Sequence, residues 1–210
     1  MLQLRSAALA VVFAALAVCG LTTHTASAQT TATEYVQKLG DRAILELTDK
    51  SVSDSERVKR MRQLLTESFD VPAVSQFVLG TYWRQATEEE RQEFMKEYAV
   101  VVAHTYAGLF KKYSGEQYKV QRERPVDDNT IVYGQILQPN GGEPVAIEIT
   151  VKKEGSDYKA VDIKVEGISM PLTHRKEYAS VIQRNRGQVA PLIKVLKQKA
   201  ESLEAETPSQ

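Results

Sequence analysis

Apolar residues in the first half of the chain recur every three to four positions, the spacing of an amphipathic helix. The pattern predicts helices over residues 33–49 and 54–69, then a short helix after Asp70 and a long helix that begins at Thr87. The segment TEEE at residues 87–90 is typical of a capping box, in which the first and fourth residues bond each other's backbone.

The second half of the chain changes to strict alternation, which is typical of strands buried on one face. Short turns separate four such segments, at residues 117–124, 130–138, 143–153 and 158–167. On the third and fourth segments the alternation places one set of residues on the inner face: Val145, Ile147, Ile149, Val151, Val161, Ile163 and Val165. This apolar face must be covered.

Helical spacing returns at residues 173–185 and 189–205. Helices, then a meander, then helices again predict an α+β domain. In this fold a four-stranded antiparallel meander is covered on its apolar face by helices from both ends of the chain. The spacing does not decide whether that face forms a filled core or encloses a pocket.

The first 28 residues have the features of a secretory signal peptide. Arg5 precedes an apolar run, and the cleavage motif Ala26-Ser27-Ala28 follows it. The run is short for a membrane span, so we expect cleavage rather than anchoring. The single cysteine, Cys19, lies in this segment after Val18, which is too large for a lipoprotein signal. The predicted organisation is a signal peptide (1–28), one α+β domain (29–200) and a disordered tail (201–210).

Charge and composition narrow the classes of function. The chain has 27 Lys and Arg against 27 Asp and Glu, a balance that disfavours a nucleic-acid-binding protein. After the predicted cleavage the mature chain has no cysteine, and an exported protein without cysteine fits a bacterial periplasm better than a eukaryotic secretory route.

The sequence contains no recognisable catalytic motif: HExxH, CxxC, GxSxG and a Gly-rich phosphate loop are all absent. His104 and His174 are expected to be partly exposed helix residues. Asp127 and Asp128 fit a turn, and the alternation points Asp162 away from the inner face. We therefore expect no catalytic residues, no metal site and no enzymatic activity.

Three segments carry a resemblance: SFDVPAVSQFVLGTYWRQATEEERQEF, YAGLFKKYSGEQYKV and VDIKVEGISMPLTHRKEYASVIQRNRG. Together they resemble the MlaC family, also called the toluene-tolerance family. The family is the periplasmic phospholipid-binding component of the Mla ABC transport system. The resemblance extends over residues 35–196.

The resemblance implies a periplasmic phospholipid carrier that helps to maintain the lipid asymmetry of the outer membrane. Its implied partners are an outer-membrane lipoprotein complex and an inner-membrane ABC transporter with an MCE-domain subunit. The implied fold is cystatin/NTF2-like, with acyl tails in an internal apolar pocket. We expect a monomer that binds phospholipid, with no other cofactor and no nucleic-acid partner.

Given the family, we expect two sets of site residues. The expected pocket lining is Phe77, Val78, Tyr82, Trp83, Val102, Tyr106, Leu109, Ile147, Ile149, Val161, Ile163, Val165, Ile168 and Met170. Of these, Ile168 and Met170 are expected at the pocket mouth. Expected contacts for the head group or an acidic partner are Arg84, Arg122, Arg124 and Arg175. Trp83 fits a packing corner between two helices equally well, and solvated surface charge is the alternative for the arginines.

Two other classes of function stay open. A small NTF2-like hydrolase or isomerase would use the same cavity, by analogy of fold alone, and would need an inward-facing acid or histidine. A periplasmic chaperone or adaptor would instead hold an extended peptide in an open apolar groove.

Overall fold

The computed structural model describes residues 30–207, which form six α-helices, one 3₁₀ helix and a five-stranded sheet. The helices are α1 (Ala32–Leu47), α2 (Asp54–Ser68), α3 (Val71–Leu79), the 3₁₀ helix (Gly80–Arg84), α4 (Glu88–Phe110), α5 (Met170–Arg184) and α6 (Ala190–Ala205). The strands are β1 (Gln117–Val126), β2 (Asn129–Leu137), β3 (Val145–Glu154), β4 (Asp157–Val165) and β5 (Ile168–Ser169). The α+β class predicted from the sequence is confirmed.

Both ends of the chain extend beyond the described residues. The predicted signal peptide, residues 1–28, lies outside them, as do residues 208–210 of the predicted tail. Helix α6 continues to Ala205, so residues 201–205 are helical. Within residues 30–207, no helix combines the length and the apolar character needed to cross a membrane.

Polar side chains at the helix starts fix where the helices begin. The Thr87 hydroxyl accepts a hydrogen bond from the Glu90 backbone N–H at 3.2 Å, and the Glu90 carboxylate accepts one from the Thr87 N–H at 3.0 Å. This is the predicted capping box, and it satisfies two N–H groups that the helix leaves unbonded. A second capping box joins Thr31 and Glu34 at the start of α1.

The sheet is an antiparallel meander with the order β1-β2-β3-β4-β5. The sequence predicted four strands, whereas the sheet within residues 30–207 has five, and the strand that was missed is β5. Val165 pairs with Ile168 across a two-residue turn in which Glu166 and Gly167 have φ angles of 50° and 75°. Two consecutive positive φ angles are typical of a tight hairpin turn, and the chain folds back as a fifth, two-residue strand.

A β-bulge in β4 corrects the predicted inner face of that strand. Thr150 of β3 pairs with Asp162, but the next residue, Val151, pairs with Ala160. Val161 is the extra residue of the bulge, so the alternation shifts by one position. Ala160 is fully buried and takes the inward place that the sequence pattern assigned to Val161.

The buried apolar residues form three separate clusters rather than one continuous core. The helical cluster lies among α3, α4, α5 and α6 and centres on Phe94, Ile182 and Leu192. The sheet cluster joins α1 to the inner sheet face around Val36, Val132 and Val151. The third cluster joins α1, α2 and α4. A space remains where the three clusters approach one another.

Candidate functional site

This space is an apolar cavity of about 820 Å³ between the sheet and the helices. Its volume lies within the range of about 300–1,000 Å³ that is usual for small-molecule sites. The sheet contributes Tyr118, Ile136, Val145, Ile147, Ile149, Ile163 and Val165; the helices and the segment after α2 contribute Leu39, Gly40, Ala43, Ile44, Met61, Leu64, Leu65, Phe69, Val71, Val74, Tyr98, Ala99, Val102, Tyr106, Leu109, Phe110, Met170, Pro171 and His174.

Helix α4 gives the cavity its depth. Leu109, near the end of α4, is 61% exposed, whereas Tyr98 is only 6% exposed. Both line the cavity. They are eleven positions apart along the α-helix, which corresponds to about 16 Å. The mouth therefore lies where α4 ends and β1 begins, and it is completed by Lys112, Tyr113, Glu116 and Gln138.

The cavity is open at its mouth and its wall is predominantly apolar. Water inside it would meet few hydrogen-bond partners, because an apolar wall offers none. A pre-formed apolar site of this size suits an apolar ligand.

One cluster of polar atoms lies in the wall at the deep end. The Tyr98 hydroxyl is 2.9 Å from Nδ1 of His174, and the Tyr106 hydroxyl is 3.3 Å from Nε2. The His174 ring also stacks on Tyr178, with ring centroids 5.9 Å apart. Burial lowers the pKa of His174 and raises those of the three tyrosines.

These shifts keep the cluster neutral near pH 7. A neutral imidazole has one donor and one acceptor nitrogen, so both of its nitrogens are satisfied by the two tyrosine hydroxyls. A ligand at this end of the cavity meets aromatic rings whose polar atoms are already bonded. His174 is a partly exposed helix residue, as expected, but the sequence did not show that α5 turns its ring towards α4 and places it in the cavity wall.

The sequence pattern of the MlaC protein family matches residues 37–198. The chain belongs to the MlaC family. It is 22% identical over 188 residues to the intermembrane phospholipid transport system binding protein MlaC of Haemophilus influenzae, covering 86% of this chain and 87% of that protein. It is 24% identical over 126 residues to the toluene tolerance protein ttg2D of Pseudomonas putida, covering 60% of this chain and 59% of the relative.

A solved structure shares the fold. It is the phospholipid-binding protein from Ralstonia solanacearum in complex with a phospholipid. The TM-score is 0.75 at 24% identity, and the match covers 83% of this chain and 99% of the Ralstonia chain.

Eight residues expected from the family resemblance lie on the cavity wall: Val102, Tyr106, Leu109, Ile147, Ile149, Ile163, Val165 and Met170. Those on β3 and β4 face inward through the strand alternation. Those on α4 follow its helical stripe.

The remaining expected residues lie away from the cavity wall. Val78 is buried in the helical cluster, and Tyr82 and Trp83 pack against the same cluster. The 3₁₀ helix turns this segment away from the sheet, so Trp83 is the packing corner that was the alternative interpretation. Arg91 fixes the corner by donating to the Trp83 carbonyl at 2.9 Å. Phe77 is 44% exposed.

The other two corrections have their cause in the sheet. Val161 is displaced by the bulge in β4. Ile168 is 62% exposed because the β4–β5 hairpin turns it outward, so it does not line the cavity mouth as expected.

None of the four expected arginines lines the cavity. Arg122 and Arg124 lie on β1 and both contact Tyr133 of β2. Arg122 stacks on the Tyr133 ring at 3.7 Å, and Arg124 donates to the Tyr133 hydroxyl at 3.3 Å. Arg175 donates to the Phe77 carbonyl at 3.2 Å and covers its ring. Arg84 is exposed at the end of the 3₁₀ helix. The charged residues that do line the mouth are Lys112 and Glu116.

Sequence analysis missed most of the helical wall from α1 and α2. Leu39, Met61 and Leu64 were recognisable as apolar helix positions, but nothing in their spacing distinguishes a cavity wall from a core. The one available signal was the width of the apolar stripe on each helix. Ile44 widens the stripe of α1 and Leu65 widens that of α2, so each helix contacts both a core cluster and the cavity.

Proposed function

We propose that this protein binds a phospholipid through its acyl tails in the apolar cavity and carries it between membranes. The observation that carries the proposal is the cavity itself: about 820 Å³, apolar walls, and a mouth at the end of α4. The tails lie between the sheet and the helices, and the head group lies at the mouth. The eight expected residues on the wall are the proposed tail contacts.

The comparisons support this ligand class. The Ralstonia protein that shares the fold holds a phospholipid, and the Haemophilus relative is named for intermembrane phospholipid transport. By family membership we propose that the protein is exported to the periplasm. There it exchanges lipid with the outer-membrane lipoprotein and with the MCE-domain subunit of the inner-membrane Mla transporter.

The energetics favour carriage with assisted release. Each buried methylene contributes about 0.8 kcal/mol. Ten buried methylenes contribute roughly 8 kcal/mol before any cost is subtracted, and a phospholipid has more than ten. Spontaneous release into water is therefore slow. Transfer of the lipid needs a docked partner with an apolar binding site of its own. The carrier therefore has to bind lipid and dock to its partners, and it needs no catalytic residues.

The enzymatic alternative required an acid or a histidine facing the cavity, and His174 meets that requirement. Its two nitrogens, however, are bonded to tyrosine hydroxyls, and within residues 30–207 no carboxylate bonds it as an orienting partner. Asp162 accepts from the Ser169 hydroxyl at 2.8 Å and does not line the cavity. This arrangement lacks the base-and-orienter geometry of a hydrolase, and it favours binding without catalysis.

The test is to fill the cavity with a protein side chain. Ile149 lies on the wall and is 6% exposed, whereas its neighbour Thr150 points to the opposite face of the sheet. We expect Ile149→Trp to lose most of the co-purifying lipid, because the indole takes up tail volume. Thr150→Trp, the matched control, should retain it. Native mass spectrometry on protein purified without detergent, followed by lipid extraction, measures both.

Three outcomes would contradict the proposal. Full lipid occupancy in a folded Ile149→Trp protein would remove the cavity as the tail site. Wild-type protein that is free of ligand and takes up none from phospholipid vesicles would remove the carrier function. A bound peptide in place of lipid would favour the chaperone or adaptor.

A further inference from the structure

The charged residues at the cavity mouth form a small, distinct group. Among the described residues that line the cavity, Lys112 and Glu116 are the two with a full charge near pH 7. Both lie in the segment that connects α4 to β1, beside the exposed Leu109. The apolar tails of a bound phospholipid would direct its head group to this position.

Glu116 is held in place by its own loop. The backbone N–H of Ser114 donates to Oε2 of Glu116 at 2.7 Å, and the Ser114 hydroxyl donates to Oε1 at 3.0 Å. The backbone bond, together with the hydroxyl bond, lowers the pKa of Glu116. The mouth therefore carries a carboxylate that is charged and fixed in orientation.

Lys112 differs from the lysine beside it. Lys111 is paired with Asp54 of α2 at 2.6 Å. Lys112 is exposed, and it forms no ion pair with any other residue of the 30–207 segment. Its ammonium group is therefore available to an anion at the mouth.

We infer that Lys112 and Glu116 form a head-group subsite that favours zwitterionic phospholipids over phospholipids with a net negative charge. This inference rests on the proposed function and deepens it. The Lys112 ammonium faces the phosphate, which all these lipids share. The fixed Glu116 carboxylate faces the ammonium of a zwitterionic head group.

A head group without an ammonium leaves the carboxylate unpaired. It also places the lipid phosphate near a second negative charge, and like charges repel. Lys112 therefore acts on every phospholipid, whereas Glu116 distinguishes between them. Contacts between solvent-exposed charges are individually weak, so the selectivity is about twofold to fivefold and decreases as salt is added.

The experiment is a competition between two head groups. Detergent-stripped protein is incubated with vesicles that contain equal amounts of phosphatidylethanolamine and phosphatidylglycerol with identical tails. Native mass spectrometry then gives the ratio of the two complexes. We expect wild-type protein to favour phosphatidylethanolamine about twofold to fivefold. We expect Glu116→Lys to remove or reverse the preference, and Glu116→Gln to reduce it towards one.

Glu154→Lys is the matched control, because it makes the same charge change in an exposed residue at the end of β3, far from the cavity mouth. It should keep the wild-type ratio. A wild-type ratio of one, or an unchanged ratio in lipid-loaded Glu116→Lys, would overturn the head-group subsite and leave the carrier function intact. Wild-type protein that takes up neither lipid would overturn both.

Discussion

At the scale of single residues, His174 shows how a polar side chain fits into an apolar wall. Its two nitrogens are bonded by the hydroxyls of Tyr98 and Tyr106, and its ring stacks on Tyr178. Buried polar groups are costly unless they are bonded. The aromatic cluster thus closes the deep end of the cavity without leaving a polar atom exposed to a tail.

Protonation of His174 should destabilise the fold in mild acid. Burial lowers its pKa from the ordinary value of 6.5, so below that pH the unfolded chain binds a proton more readily than the folded chain. The free energy of unfolding should therefore fall as the pH decreases from 7 to 5, by at most about 1.4 kcal/mol per pH unit for one proton. Urea denaturation at several pH values measures it.

His174→Gln should flatten this dependence. The titratable groups that face His174 are the hydroxyls of Tyr98, Tyr106 and Tyr178 and the carboxylate of Glu177. The tyrosines do not titrate between pH 5 and 7. Burial also lowers the pKa of His104, which lies between α2, α4 and α6, away from the cavity. His104→Gln is therefore measured beside His174→Gln, and the change of slope in each variant gives the contribution of that histidine. An equal slope in wild type and His174→Gln would assign the acid sensitivity to other groups.

At the scale of secondary structure elements, the contact of α1 with the sheet depends on a close approach. The Tyr118 ring of β1 lies between Gly40 of α1 and Gly134 of β2. A Cβ at Gly40 would be 2.3 Å from the Tyr118 ring, and a Cβ at Gly134 would be 2.7 Å from its hydroxyl. Gln37 adds two hydrogen bonds to the β1 backbone, at Tyr118 and Val120. These contacts hold α1 as one wall of the cavity.

Gly40→Ala should therefore be destabilising, although alanine is the better helix former. Overpacking of this kind costs about 1–3 kcal/mol, which exceeds the gain of about 1 kcal/mol from replacing a helical glycine. The midpoint of urea denaturation should move to lower urea. The change should also displace Tyr118 towards the cavity and reduce lipid occupancy.

A double-mutant cycle tests the assigned cause. In a Tyr118→Ala background the added methyl group has no ring to meet, so Gly40→Ala should be neutral or stabilising there. Gly108→Ala is the matched control, because Gly108 also lies in a helix and a Cβ there meets nothing within 4 Å. The same loss of stability with and without the Tyr118 ring would contradict this mechanism.

At the scale of the whole molecule, the three core clusters determine the cavity. Each one joins a different combination of elements, with α1 and α4 each contributing to two clusters, and none fills the space between them. The ligand then acts as the missing part of the core. A ligand that binds only the folded state stabilises it by about 4 kcal/mol when its concentration is a thousand times its dissociation constant.

Lipid removal should therefore lower the stability of the protein. We expect detergent-stripped protein to lose several kcal/mol of unfolding free energy relative to lipid-loaded protein, and to regain it after incubation with phospholipid vesicles. Thermal denaturation before and after reloading measures the change. Ile149→Trp should show a much smaller difference between the two states. Identical unfolding of stripped and loaded wild-type protein would contradict the role of lipid as a core component.

Much of the fold could be predicted because its signals are local. The capping box at Thr87 and the alternation of Ile147 and Ile149 each depend on residues a few positions apart. The same local signals misplaced Val161 and missed the β4–β5 hairpin. A bulge shifts the alternation without changing the composition. The Glu166-Gly167 turn resembles an ordinary strand end.

The site could be predicted only in part. The inward residues of β3 and the stripe of α4 follow from periodicity, and they do line the cavity. The aromatic segment at Tyr82 and Trp83 was assigned to the same wall, but the 3₁₀ helix turns it into the helical cluster. His174 was expected to be only a partly exposed helix residue. Its place in the cavity wall could not be predicted, because its partners Tyr98 and Tyr106 are about 70 residues away in sequence.

The sequence by itself determined the six α-helices and four of the five strands of residues 30–207, the apolar faces of the helices and of β3, and the family. Only the tertiary structure decided that these faces enclose a cavity, where its mouth lies, and that Lys112 and Glu116 border it in place of the arginines. The physical reason is that hydrophobic patterning records which side of an element avoids water. It does not record whether that side meets another side chain or a space left for a ligand, because this depends on how distant elements are placed.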